Sequence, residues 1–356
     1  MQIRRLNTLR GIAALIVLVG HYSNKAQLWD AVLGRRGPQL GVMLFFLLSA
    51  FLMTVLYMDR QPTAQAMRGF GVARAARILP LYVLIVVLSW LAQQTGLPWL
   101  TKTAYDIFTI KSLVSHLLIL YGSDELWTVP TELHFYLIFA ALWWLRPRVP
   151  WALPVFCIAV LATFASGHWP LFPTGPVLGF PIELKVVRGL PFFTVGMIIG
   201  LAYNRWRPAD RVRHHAWVIA LPMILLLYPV ILEWLTGWTY SMWFTPAILV
   251  AMAAIFSILV FLVPDGNPIL ENRVGDHLGK VSYSLYLLHF PILLLFKQAG
   301  LAKGADGLAL YLAATVLAAS ATYYLYEFPM RRRLRALVPQ PDADVPVAAA
   351  ATGSQP

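Results

Sequence analysis

The chain has 356 residues, 59% of them hydrophobic and only 12% charged, against about 25% charged in an ordinary soluble domain. Together with 13 Trp, 15 Tyr and 19 Phe, which suit a membrane–water boundary, this argues against a soluble enzyme, a disordered chain or a secreted disulfide scaffold. The single cysteine, Cys157, excludes an internal disulfide and a cysteine-rich metal cluster, and the net charge of +12 must be tested for topological sorting before nucleic acid is invoked.

A helix needs about 20 mainly apolar residues to cross the hydrocarbon core. In chain order, spans fit at 6–24, between Arg36 and Asp59, between Arg77 and Lys102, and at 131–146, 150–166 and 187–205. Uncharged runs then follow between Arg213 and Glu233 and between Glu233 and Asp265, with a further span at 279–298 and a last one between Asp306 and Glu327. The expected fold is all-α, a polytopic membrane bundle of about ten transmembrane helices. It occupies 1–338, and the Pro/Ala-rich stretch 339–356 reads as a disordered tail. The first run follows Arg4 and Arg5 without a small-residue cleavage site, so it reads as a retained helix.

An even number of spans puts both termini on one side. Most Lys and Arg then collect there, including Arg4, Arg5, Arg10, Arg60, Arg68, Arg74, Arg77 and clusters at 205–213 and 331–335, while acidic residues divide evenly. The positive-inside rule makes that side cytoplasmic. Sorting accounts for the excess charge, so nucleic acid is not an expected partner.

Ionisable residues inside a span are costly and are functional candidates by default. In the first helix Arg10 and His21 are eleven residues apart, about 16 Å along the axis. They fall within roughly 20° of one face. Histidine titrates near neutrality, so His21 is the candidate general base for a hydroxyl too weakly acidic to react unaided. In Gly41–Thr54, Ser49 and Ala50 permit close helix contact. Downstream, Arg74 and Arg77 share a helix face, with Arg68 nearby; such guanidinium pairs bind the phosphates of a nucleotide-bearing donor or of lipid headgroups.

The fourth span opens Trp127-Thr-Val-Pro-Thr-Glu132-Leu-His-Phe-Tyr136. Glu132 can hold an imidazolium, orient an acceptor hydroxyl or cap a helix. Tyr286 and His289 share a face of the ninth span, where they suit either substrate or helix–helix bonding. With Trp127 and Tyr136 they are the candidate substrate contacts. Glu327 is read as a structural partner of the cytoplasmic arginines. His214-His215 has no acidic or Cys partner in sequence, so no metal site is expected, and neither Gly-x-Ser-x-Gly, a Walker A loop nor His-Glu-x-x-His occurs. Buried His, Arg and Glu also suit a proton-coupled transporter, the alternative reading.

The ordered set LNTLRGIAALIVLVGH, GVMLFFLLSAFLMT, RAARILPLY, WTVPTELHFY, FFTVGMIIG, LGKVSYSLYLLHFP and YLYEFPMRR resembles the acyltransferase 3 family of integral membrane acyltransferases. The resemblance implies a bacterial cytoplasmic-membrane O-acyltransferase. It would move an acyl group, commonly acetyl, from cytoplasmic acyl-CoA (acetyl-CoA) to a carbohydrate or lipid-linked glycan hydroxyl. It matches Arg10 and His21 to the family's essential pair, Arg74 and Arg77 to its arginine motif and Glu132 to its acid. Asn7-Thr8 replace the family's Asp-Gly, removing an acidic partner near Arg10, and Ala50 replaces a glycine. The tail is too short for the extracytoplasmic domain that some members append.

Overall fold

The computed structural model describes residues 4–34, 36–170, 175–206 and 217–337. The expected tail, the basic stretch after Trp206 and His214-His215 lie outside the described residues. The chain is mostly helical. It runs through α1 (Arg4–Ala26), α2 (Pro38–Tyr57), α3 (Ala64–Gln94), α4 (Pro98–Thr101) and α5 (Ile110–Leu117). A 3-10 turn at Asp124–Trp127 then leads into α6 (Thr128–Leu145) and α7 (Ala152–Ala165). After a hairpin of β1 (Gly175–Val177) and β2 (Phe180–Ile182) come α8 (Val186–Arg205), α9 (Trp217–Leu226), α10 (Pro229–Thr236) and α11 (Pro246–Phe261). The last elements are α12 (Arg273–Gln298) and α13 (Gly304–Thr322), a π-helical turn at Tyr323–Glu327, and α14 (Phe328–Ala336). Helix starts follow local chemistry: Thr63 caps α3, Asn272 caps α12 by accepting from the Gly275 N–H at 2.7 Å, and proline opens α2, α10 and α11.

Among the described residues, five helices are long and apolar enough to cross a membrane: α2, α3, α8, α12 and the run Gly304–Ala336, or six if α9 and α10 count as one bent span. Helices also stand at the other expected positions, but α7 and α11 have only 14 and 16 residues, and α1 and α6 carry Arg10, His21 and Glu132. Along the uncharged run between Arg213 and Glu233, the chain bends by 96° between α9 and α10. Pro229 cannot donate to a continuing helix, and it holds the preceding Tyr228 extended at ψ 134°. The hairpin is the one departure from an all-helical pattern among the described residues; its turn places Leu178 and Gly179 at φ 53° and 80°, as a two-residue hairpin turn requires.

α1 sits at the centre, packed against α2 and α12, while α2 packs on α8 and α12 on α13. Small residues allow these approaches. A Cβ on Gly279 would lie 2.3 Å from the Asn7 carbonyl oxygen, so α12 meets the backbone of α1 there. Ala50 is fully buried against Gly196, where an added Cβ would come within 2.9 Å of the Ala50 methyl. The methyl that Ala50 adds on α2 is thus accommodated by a glycine on α8. Two internal prolines each free a carbonyl four residues back. Pro291 frees Leu287, which accepts from the Tyr105 hydroxyl at 3.0 Å; Pro191 frees Val187, which accepts from the Trp169 indole at 3.1 Å.

Candidate active site

Two polar centres lie along α1, one at each end of the stripe that carries Arg10 and His21. At the His21 end the imidazole Nε2 stands 3.3 Å from a carboxylate oxygen of Glu125. The ring is 5.3 Å from that of His289 and 6.1 Å, edge to face, from Phe290. His289 is buried; its Nδ1 bonds the Tyr286 carbonyl, and its Nε2 has no hydrogen-bond partner. The Tyr286 hydroxyl donates to the Glu125 backbone carbonyl at 3.1 Å, so α12 holds both the imidazole pair and the loop that supplies the carboxylate.

That loop is tightly fixed. His116 at the end of α5 is fully buried; its Nδ1 donates to the Ser112 carbonyl at 2.7 Å and its Nε2 accepts from the Ser123 N–H at 3.0 Å. Burial holds this imidazole below the ordinary histidine range, partly offset by the bond to Ser112, so it stays neutral as its two bonds require. The Asp106 N–H donates to Asp124 at 3.3 Å, and Ile119 and Asp124 turn the chain at φ 62° and 44°. Backbone held in this left-handed region persists only where its surroundings enforce it. Burial on its own would raise the Glu125 carboxyl, but His21, followed by His289 and Lys25, outweighs it and holds the group below the usual carboxylate range.

At the other end, Arg10, Arg77 and Glu132 line one cavity with Ser49, Tyr283 and Tyr286. Glu132 accepts from the Ser49 hydroxyl at 2.7 Å and from Tyr136. The Tyr136 ring faces the Arg74 guanidinium at 6.0 Å. Arg74 is only 7% exposed, and its Nε and Nη1 have no hydrogen-bond partner. The cavity extends from Arg77 to Tyr286, the residue that also touches Glu125 and His289.

Of the residues singled out by sequence, Arg10, Arg77, Glu132 and Tyr286 share this cavity, with Arg74 and Tyr136 packed beside it. His21 and His289 form the adjoining imidazole pair. Arg68 is exposed on α3 and does not line the cavity. Trp127 does not line the cavity but packs edge-on to Phe46, which does, and to Trp243, with Lys185 and Arg188 5.7 and 5.8 Å from its ring. Glu132 does not meet His21; Glu125 does. Sequence reasoning missed Glu125 because it stands in a short polar loop, where a carboxylate looks like ordinary surface charge. Asn7 and Thr8 serve α12: Thr8 donates to the Leu270 carbonyl at 2.8 Å and Asn7 to Asp276 at 3.3 Å. The acid facing Arg10 across the cavity is Glu132.

Comparison with known proteins assigns the chain to a family. The family profile Acyl_transf_3, described as an acyltransferase domain, matches residues 3–327. The chain is also similar to an exopolysaccharide production protein, ExoZ, of Rhizobium meliloti (strain 1021), with 28% identity over 318 residues, covering 83% of this chain and 90% of the relative. No solved structure matches it. A match over nearly the whole chain sets the transporter aside: the protein belongs to the acyltransferase 3 family and is an O-acyltransferase.

Proposed function

We propose that this protein moves an acyl group, acetyl in the first instance, from acyl-CoA to a hydroxyl of an envelope polysaccharide or its lipid-linked precursor. The observation that carries this reading is that Tyr286, which lines the cavity shared by Arg10 and Arg77, also bonds the backbone of Glu125, the partner of His21, in a chain of this family. The exopolysaccharide relative supports a carbohydrate acceptor. Residues 1–338 form the acyltransferase domain, which crosses a bacterial cytoplasmic membrane ten times with both termini inside. The shorter helices and the bent pair supply the spans beyond the five apolar ones.

The CoA phosphates dock at Arg74 and Arg77, and the thioester lies beyond Arg10 toward Tyr286. Glu125 accepts from the Nε2–H of His21, which leaves Nδ1 as the basic nitrogen. Two routes balance. In the first, Nδ1 takes the acceptor proton while the hydroxyl oxygen bonds to the thioester carbon; the C–S bond breaks and the thiolate of CoA recovers the proton. In the second, Nδ1 itself attacks the thioester carbon and the C–S bond breaks to release the CoA thiolate; the acceptor oxygen then takes the acyl carbon as the C–N bond breaks, and its proton passes to the freed Nδ1 and on to the thiolate. Either route gives the same products, an acyl ester and free CoA, and either needs a carboxylate beside the developing imidazolium.

Membranes containing the protein, given acetyl-CoA labelled in the acetyl group, test this reading. Label is expected in polysaccharide, released by mild base as an ester requires. Label that stays in small molecules, free or enclosed in vesicles, contradicts it.

A further inference from the structure

Helix α14 carries basic residues that topology alone does not explain. It packs along α3, and Arg331 and Arg335, four residues apart, share the face turned to Arg74 and Arg77. Both are half-buried, whereas Arg332 and Arg333 between them are exposed. The Arg335 Nε is buried without a hydrogen-bond partner, as are the Nε and Nη1 of Arg74. Partly buried guanidinium groups within reach of one another's charge repel, and nitrogens left without a partner forgo the hydrogen bonds that would offset their desolvation. An anion between them supplies both.

The local fold aims these side chains. The π-helical turn Tyr323–Glu327 inserts a residue before α14 and so rotates it by about 100° relative to a regular continuation. The turn is anchored on α3 just past Arg77, where the Tyr326 hydroxyl donates to the Pro80 carbonyl at 3.2 Å; beside it Tyr283 of α12 donates to the Ile78 carbonyl at 2.8 Å. Among the described residues, counter-charge is sparse. Glu327 is held by the Ser284 hydroxyl at 2.7 Å, and Glu132 by Ser49 and Tyr136. Five guanidinium groups (Arg10, Arg74, Arg77, Arg331 and Arg335) thus face two carboxylates, an excess of three positive charges. A 3′-phosphorylated nucleoside diphosphate brings about four negative charges.

We infer that Arg331 and Arg335 of α14, with Arg74 and Arg77 of α3, form a composite phosphate site that selects a donor bearing a 3′-phosphate as well as a pyrophosphate. This rests on the acyl-CoA reading above. Lipid headgroups offer the same phosphate chemistry, and the test separates the two sources.

The full chain in phosphatidylcholine nanodiscs is titrated with coenzyme A and with 3′-dephospho-coenzyme A, with and without added phosphatidylglycerol. Wild type is expected to prefer coenzyme A by about tenfold or more. Arg331→Gln/Arg335→Gln is expected to weaken coenzyme A binding by about tenfold and to lose most of that preference. Arg332→Gln/Arg333→Gln, with the same formal charge loss on the exposed face, is expected to bind like wild type. The single variants R331Q and R335Q are read alongside, so that a folding defect in the double variant does not mask the outcome. Coenzyme A binding unaltered in R331Q/R335Q, or weakened no more than in R332Q/R333Q, overturns the inference while leaving acyl-CoA as donor. Loss of the 3′-phosphate preference on adding phosphatidylglycerol assigns the arginines to lipid and also overturns it. Failure of wild type to bind coenzyme A removes the donor reading and this site together.

Discussion

The two carboxylates of the site are separable by their partners. Glu125 stands against an imidazole, whereas Glu132 is engaged by Ser49 and Tyr136 beside Arg10. Replacing Glu125 by Gln keeps the shape but removes the charge that stabilises the imidazolium of His21. Turnover is expected to fall by about a hundredfold with the KM for acyl-CoA nearly unchanged. Glu132→Gln instead leaves Arg10 without its facing charge, so the KM for acyl-CoA is expected to move more than turnover does. Steady-state kinetics on both variants separate the roles, and a hundredfold turnover loss confined to Glu132→Gln would reverse them. His21 and Arg10 were legible in the sequence because a charged residue within an apolar run is costly and therefore conspicuous. Glu125 was not, because its significance depends on a fold-back of the loop that no local pattern encodes.

At the scale of elements, the loop between α5 and α6 delivers Glu125, and the α1–α12 contact delivers His21 to His289. Burial depresses the His116 imidazole, so between its folded value and the ordinary value near 6.5 the unfolded chain binds the extra proton. Stability therefore rises with pH across that window, and His116 contributes a loss of stability as pH falls below about 6.5. Thermal unfolding in detergent at several pH values is expected to show this slope in wild type and a shallower one in His116→Gln; equal slopes would exclude His116 as its source. Gly279→Ala places a methyl on the backbone of Asn7 and is expected to cost about 1–3 kcal/mol. Gly71→Ala, with nothing within 4 Å of the added Cβ, is expected to stabilise α3 by about 0.5–1 kcal/mol. The same melts check both. Most helices were legible from uncharged runs and their capping residues. The break at Tyr228–Pro229 was not, because hydropathy averages over a proline and registers no angle.

For the whole molecule, the mostly helical membrane character and the family were readable from composition and the order of seven motifs, whereas the convergence of distant segments was not. Arg10 and Arg77 share a cavity with Glu132, and Arg331 and Arg335 close on α3 from the far end of the chain. These meetings depend on small-residue helix contacts and one π-helical turn, which fix rotations that a linear pattern leaves free. His21, held by Glu125, is proposed to perform acyl transfer to an envelope glycan. The most direct test is transfer of labelled acetyl from acetyl-CoA to polysaccharide in membranes carrying wild type, His21→Ala or Glu125→Gln at matched abundance. The expected result is robust transfer by wild type, about one hundredth of it by Glu125→Gln and none above background by His21→Ala. Transfer by His21→Ala at the wild-type rate would contradict the claim.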